Sequence, residues 1–372
     1  MKKLLLNTTL VLVSILLTYG LMELFFRFAM PYLPMHLFNN ECRELRTIGQ
    51  TSKKGNIPES PYIAIIGDSY GAGQGDWFIE EKYNPNSRYQ ATHVIQDVTG
   101  QDVISLSRAG AGSYDGPAIY AVNTWRYLNN AGFNIPTPDA LVVYFYEGND
   151  ISDNQGFLQR YFLPEHAISE LYDDTHFALF AKKMDTRHSQ GELPRLQDKF
   201  LVGNFLSRFV EGMVYSATRQ RQPLAPGKKF NAMIAGKDIW LPDAIEADLT
   251  LFTPEQIKNS TRLFDRALKR LTEVWPESRK HVVYIPSPLT TYTMLDAKAT
   301  ARMSISVELE REIEIVAQKH NFGFIDFAPS LRKTAQTKYL HGPKDWTHLN
   351  KDGYELLGAV IAEGITIPST IN

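Results

Sequence analysis

Pro61-Tyr62-Ile63-Ala64-Ile65-Ile66-Gly67-Asp68-Ser69-Tyr70-Gly71-Ala72-Gly73-Gln74-Gly75 is the stretch on which the fold turns. Tyr62 to Ile66 is a continuous apolar run with no polar alternation. Such a run reads as a strand buried on both faces, the environment of a parallel sheet covered by helices. A glycine-rich turn follows at once and places Ser69 just past the strand's carboxyl end. In open parallel sheets ligands bind beyond that end.

The same rhythm repeats downstream. Ala91, Val94, Ile95 and Val98 recur at helical spacing and stop at Gly100. Val103-Ile104-Ser105-Leu106 reads as a second strand, about Asp115 to Leu128 as a helix, and Ala140 to Tyr146 as a third and strongly β strand. Strand–helix–strand order implies right-handed crossovers and a parallel sheet. From about residue 157 to 251 the rhythm breaks into an aromatic- and charge-rich insertion, expected to be partly helical and to form a lid, a cleft wall or a plain surface excursion. Regular order resumes at Thr253-Pro254-Glu255-Gln256, a capping box with proline in the first turn. Its helix buries Ile257, Ser260, Phe264, Ala267, Leu271 and Val274. His281 to Ile285 is a further strand, followed by a helix with Ile305, Leu309, Ile313 and Val316 on one face. Phe322 to Phe327 holds a fifth strand, and Asn350 caps a last helix carrying Tyr354, Leu357, Val360 and Ile361 inward.

The N-terminus is of another kind. Lys2 and Lys3 precede an uncharged stretch from Leu4 to Met22, close to the ~20 residues that span a bilayer. Lysines on that side favour a cytoplasmic start and an exported remainder. No small-residue cleavage site follows, so residues 1–30 read as a retained anchor rather than a cleaved signal peptide. Glu23 and Arg27 are spaced to pair where the helix leaves the membrane. Residues 31–60 read as a linker, and 61–372 as one domain carrying the insertion. A net charge of −2 gives no bulk electrostatic case for nucleic-acid binding. The lone Cys42 excludes an internal disulfide framework and a multi-cysteine metal site.

Four islands carry candidate chemistry. Ser69 is a possible nucleophile, although an isolated Gly-Asp-Ser is more often a helix cap. Gly110, in Arg108-Ala109-Gly110-Ala111-Gly112, can turn a backbone N–H toward a developing oxyanion, or simply form a turn. Asn149 ends the third strand in Gly148-Asn149-Asp150, where its amide can donate or merely shape a turn. Asp345 and His348 stand three apart before the last helix, at a spacing that lets a carboxylate hold one ring nitrogen of a base. Asp-x-x-His alone serves equally as a metal ligand or a surface turn. With no cluster of further ligands near it in sequence, no metal or other cofactor is expected.

With these islands in this order, the chain resembles the SGNH (GDSL-type) hydrolases, which are named for a Ser, Gly, Asn and His in four blocks. Here the blocks are Gly67-Asp68-Ser69, Leu106 to Gly112 with Gly110, Gly148-Asn149-Asp150, and Asp345-Trp346-Thr347-His348. Two positions depart from the pattern: Tyr70 stands where leucine is name-giving, and Ser107 where glycine is common. The resemblance implies a three-layer α/β/α flavodoxin-like fold with a central parallel sheet of about five strands. It also implies Ser69 as nucleophile, His348 as base and Asp345 as its carboxylate, with Ser69, Gly110 and Asn149 forming the oxyanion hole. The expected activity is ester hydrolysis outside the cytoplasm, on O-acylated glycans. Acyl transfer to an envelope polysaccharide, and an idle binding subunit of a polysaccharide machine, are the alternatives. Tyr161, Phe162, Tyr172, Phe177, Phe180 and Trp240 in the insertion are either core or sugar-stacking residues.

Overall fold

The computed structural model describes residues 2–29, 60–80, 89–188, 200–203, 205–207, 228–242 and 248–366, with Thr47, Ser52, Pro58 and Val210 besides. Its centre is a five-stranded parallel sheet made of β1 (Tyr62–Ile66), β2 (Asp102–Ser105), β3 (Ala140–Tyr146), β6 (Arg279–Ile285) and β8 (Gly323–Asp326). The strands lie in the order β2-β1-β3-β6-β8, so the chain winds outward in both directions from the β1–β3 pair. That order is the flavodoxin-like one, and its crevice opens where the winding reverses, beyond the carboxyl ends of β1 and β3. Ile63 to Ile66 register with Ala140 to Val143 across that pair.

Alternate residues of the strands feed two separate cores, which is why the apolar runs are continuous. On one face Ile63, Ile65, Val142, Tyr144 and Val283 pack against helices α3 (Ala91–Thr99), α10 (Ala328–Ala335) and α11 (Lys351–Thr366). On the other, Ala64, Ile66, Leu141, Val143, Phe145 and Val282 meet α4 (Val122–Asn130), α7 (Pro254–Val274) and α9 (Ala299–Lys319). The result is the expected three-layer α/β/α sandwich. Every residue of β1 and β3 is buried. At about 1.5–3 kcal/mol for each large aliphatic side chain, this burial dominates the stability of the sheet.

Local signals act as their chemistry demands. Gly100 ends α3 in the left-handed conformation, φ 71°. Thr253 and Gln256 form the reciprocal capping box of α7, with Pro254 in its first turn. The Asn350 side chain accepts the Gly353 N–H at 3.1 Å at the start of α11. One expected stripe residue, Val98, is 60% exposed, so α3 buries a narrower face than its spacing suggests. The helix expected from about Asp115 begins with a π-helical turn, Gly116–Ala121, and continues as α4.

The insertion departs more from expectation. After α5 (Asp150–Phe157) it contains α6 (Asp174–His188), but also a hairpin of β4 (Lys228–Ile234) and β5 (Lys237–Pro242). The hairpin is joined by β7 (Thr293–Met294) into a second, antiparallel sheet. Its aromatic residues are mostly core: Phe162, Phe177 and Phe180 are buried in a third cluster with Tyr114, Phe157 and Leu263, while among the described residues Tyr172, Phe200 and Trp240 are exposed. The expected linker lies almost wholly outside the described residues. Within it, the Ser52 N–H donates to Val103 O (2.9 Å) while its hydroxyl accepts the Val103 N–H (2.7 Å), a contact at the outer edge of β2.

Residues 2–29 form a single helix, α1, with mean hydropathy 2.0 over its most apolar window, long and apolar enough to cross a membrane.

Candidate active site

Ser69 follows β1 in a tight turn, in which the Ala72 and Gln74 N–H groups donate back to the carbonyls of Asp68 and Ser69. The turn carries it to the crevice between β1 and β3, where its hydroxyl lies 2.8 Å from His348 Nε2. The other ring nitrogen of His348, Nδ1, lies 2.7 Å from Asp345 Oδ2. A carboxylate at that distance accepts a hydrogen bond from Nδ1–H, which leaves the Nε2 lone pair facing the Ser69 hydroxyl. Residues 279 apart in sequence thus meet in one hydrogen-bonded line.

Asp345 organises its own loop as well. Its Oδ1 accepts the N–H groups of Thr347 (3.0 Å) and His348 (3.3 Å). Burial works to raise the pKa of Asp345, but the hydrogen bond and charge of His348 and these two N–H groups outweigh it, and the pKa is held below its usual value. An ionised Asp345 is the form that orients the imidazole.

The serine is also bordered by Asp68, which sequence reading left without a role. This carboxyl is buried, accepts the Tyr70 N–H at 2.9 Å and lies 3.4 Å from Ser69 Oγ. The Asn149 side chain lies close enough to favour the charged form of Asp68. Burial pushes the Asp68 pKa up, against these neighbours and the charge of His348. Asn149 is the N-cap position of α5 but makes no side-chain cap bond, so its amide is not consumed by the helix. Asp150, the first residue of α5, turns back to the strand instead: its Oδ2 accepts the N–H of Tyr146, the last residue of β3, at 2.7 Å.

Gly110 lies on the loop after β2, held beside β1 by the Arg108 N–H donating to Gly67 O at 3.0 Å. It is exposed, has φ +76°, and a side chain there would meet open space. Its glycine identity therefore answers to backbone conformation rather than to crowding. Among the described residues neither the Gly110 nor the Ser69 N–H has a hydrogen-bond partner, which leaves both donors unused. Ser107, one of the two departures, packs where Gly71 leaves room: a Cβ on Gly71 would come within 2.1 Å of Ser107 Oγ.

Three further residues clamp the loop that carries Asp345 and His348. Asp76, buried at the start of α2 (Asp76–Glu80), accepts the N–H groups of Asp345 (2.5 Å) and Lys344 (3.1 Å). The hydroxyls of Tyr70 and Tyr146 both donate to Thr347 O, at 2.7 and 3.2 Å, with their rings 4.0 Å apart. Tyr70, the other departure, thus has a polar function that leucine lacks, and its ring centroid lies 5.4 Å from that of His348. Glu147, at the end of β3, is a different kind of anchor. It receives the Tyr284, Thr290 and Ser306 hydroxyls and the Ser287 N–H, tying β3 to β6, α8 (Pro288–Thr291) and α9 behind the crevice.

No protein-family model matches the chain, and no curated protein matches it. Among solved structures, an extracellular lipase from Streptomyces rimosus is similar at 15% identity and TM-score 0.41, over 82% of this chain and 100% of that one. The structure of an acetylxylan esterase variant from Geobacillus stearothermophilus is similar at 10% identity and TM-score 0.37, over 83% and 96%. A carbohydrate esterase family 2 enzyme with a carbohydrate-binding domain, from Myceliophthora fergusii, is similar at 13% identity and TM-score 0.39, over 83% and 66%. Likenesses this shallow add no weight to the site's own geometry.

Proposed function

We propose that this chain is a serine ester hydrolase of the SGNH type, held at a membrane by α1 and acting on O-acylated glycans outside the cytoplasm. The observation that carries the reading is the line from Ser69 Oγ through His348 to Asp345, with both hydrogen bonds under 3 Å. In the reaction, Nε2 of His348 takes the Ser69 proton as Oγ attacks the ester carbonyl carbon. Negative charge collects on the carbonyl oxygen and is met by the N–H groups of Ser69 and Gly110 and by the Asn149 amide. His348 then gives its proton to the leaving alcohol oxygen as the C–O bond breaks, leaving the acyl group on Ser69. Water, deprotonated by the same imidazole, attacks the acyl-enzyme, and the Ser69 hydroxyl is regenerated. Asp345 keeps its charge throughout and stabilises the imidazolium.

The side of the membrane is inferred from Lys2 and Lys3 before the apolar stretch of α1. Acyl esters of surface glycans are substrates within reach of an enzyme so placed. The test is mass spectrometry of cell-envelope glycans from cells with the chain, without it, and with Ser69→Ala. The proposal expects higher O-acylation on deletion, matched by Ser69→Ala and reversed by the intact chain. Lower O-acylation on deletion would overturn hydrolysis and put a sugar hydroxyl in the place of water.

A further inference from the structure

α1 does not stand clear of the domain. Its half-buried positions are Tyr19, Glu23, Phe26, Arg27 and Ala29, a stripe at helical spacing along one face of its second half. The Tyr19 and Phe200 ring centroids lie 6.2 Å apart, and those of Phe26 and Phe205 5.1 Å apart. Glu23 Oε1 accepts the Tyr19 hydroxyl at 2.8 Å and the Val202 N–H at 2.9 Å. Arg27 donates to Ala131 O at 2.5 Å and lies over the Phe133 ring. The two charges expected to pair with each other are thus both turned to the domain.

The opposite face carries only apolar bulk: Leu24, Phe25 and Phe28 are 56%, 73% and 71% exposed. Beside it, near Val202 and Phe205, which receive Glu23 and Phe26, Leu206 and Val210 are 48% and 52% exposed, and Phe200 43%. If the apolar core of a bilayer, ~30 Å thick, begins at Leu4, its ~20 residues of helix end near Glu23. The docked stripe and these exposed side chains then fall at one depth, the outer interface. At that depth an uncovered carboxylate is costly, and the Val202 N–H of the domain offsets part of that cost at Glu23 Oε1.

We propose that the second half of α1 and residues 200–203, 205–207 and 210 form a single membrane seat. The lipid interface is its occupant, and the domain is pressed against the bilayer instead of being suspended from a tether. This rests on the membrane-anchored reading given above. It predicts that Phe200, Leu206 and Val210 contact lipid while α9, on the same domain, does not.

The test uses the full chain with Cys42→Ser, reconstituted into vesicles of phosphatidylethanolamine and phosphatidylglycerol containing doxyl-labelled lipid. Single cysteines at Leu10→Cys, Leu206→Cys, Val210→Cys or Val307→Cys carry an environment-sensitive fluorophore. Val307, on α9, is 53% exposed and serves as the aqueous reference. The expected result is strong quenching and blue-shifted emission at 10, 206 and 210, with neither at 307. Quenching at 10 with water-like emission at 206 and 210 overturns the seat and leaves the anchor standing. Water-like emission at 10 overturns the anchor and the seat together. A disulfide formed between Phe26→Cys and Phe205→Cys in the same vesicles is the expected sign that α1 stays docked; its absence, with the protein folded, overturns the docking.

Discussion

At the scale of single residues, Ser69, His348 and Asp345 meet in one hydrogen-bonded line because the first block ends β1 and the last precedes the final helix at the same rim of the sheet. What the blocks did not disclose is Asp68. It is buried beside the Ser69 hydroxyl and accepts the Tyr70 N–H, and no local pattern distinguishes that from a helix-capping aspartate. Asn149→Ala should lower kcat for a small acetyl ester by about 10²–10³-fold with little change in KM, as expected when an oxyanion donor is lost. An unchanged kcat would remove Asn149 from the oxyanion hole. His341 offers a separate residue-level expectation. The Tyr292 hydroxyl accepts the Leu340 and His341 N–H groups, so its own proton points to His341 Nδ1, at 3.1 Å. Burial drives the His341 pKa down to about 3, so the folded ring stays neutral where an unfolded one, near ~6.5, takes a proton. Its contribution to stability is complete above ~6.5 and is lost as pH falls toward 3, at roughly 2 kcal/mol between pH 6.5 and 5. His341→Gln should therefore start less stable at pH 7 yet lose less stability on going to pH 5, measured by urea unfolding. Parallel losses in both proteins would contradict the assignment.

At the scale of elements, strands and helices around the central sheet were legible because burial on two faces leaves continuous apolar runs and helical stripes. The second sheet was not. Its hairpin turns at Ala235-Gly236, both with positive φ (49° and 74°), where asparagine or aspartate before glycine is the usual signal. Alanine there gives no warning, and the strand alternation of Phe230, Ala232 and Ile234 sits among prolines and charges. Equally hidden was the clamp on the loop before α11. Asp76 accepts two of that loop's N–H groups and stands 269 residues from Asp345. Removing a buried acceptor that serves two donors costs about 1–3 kcal/mol. Asp76→Ala should lower stability by that order and reduce kcat while Ser69 and His348 remain in place. If kcat holds at the wild-type value in a folded variant, the clamp does not position the imidazole.

At the scale of the whole molecule, the order β2-β1-β3-β6-β8 brings the ends of β1 and β3 side by side and returns the last loop to the same rim. The fold class was readable from strand–helix alternation. The docking of α1 on the domain was not, because Tyr19, Glu23, Phe26 and Arg27 gain their meaning only from Ala131, Phe133, Phe200, Val202 and Phe205. The account stands on Ser69 being an activated nucleophile, and that has a direct measurement: intact-protein mass spectrometry and peptide mapping after treatment with a fluorophosphonate. It predicts one adduct per chain, mapped to Ser69, lost in Ser69→Ala and formed much more slowly in His348→Ala. A folded wild-type chain that stays unmodified, or an adduct that persists in Ser69→Ala, would contradict it.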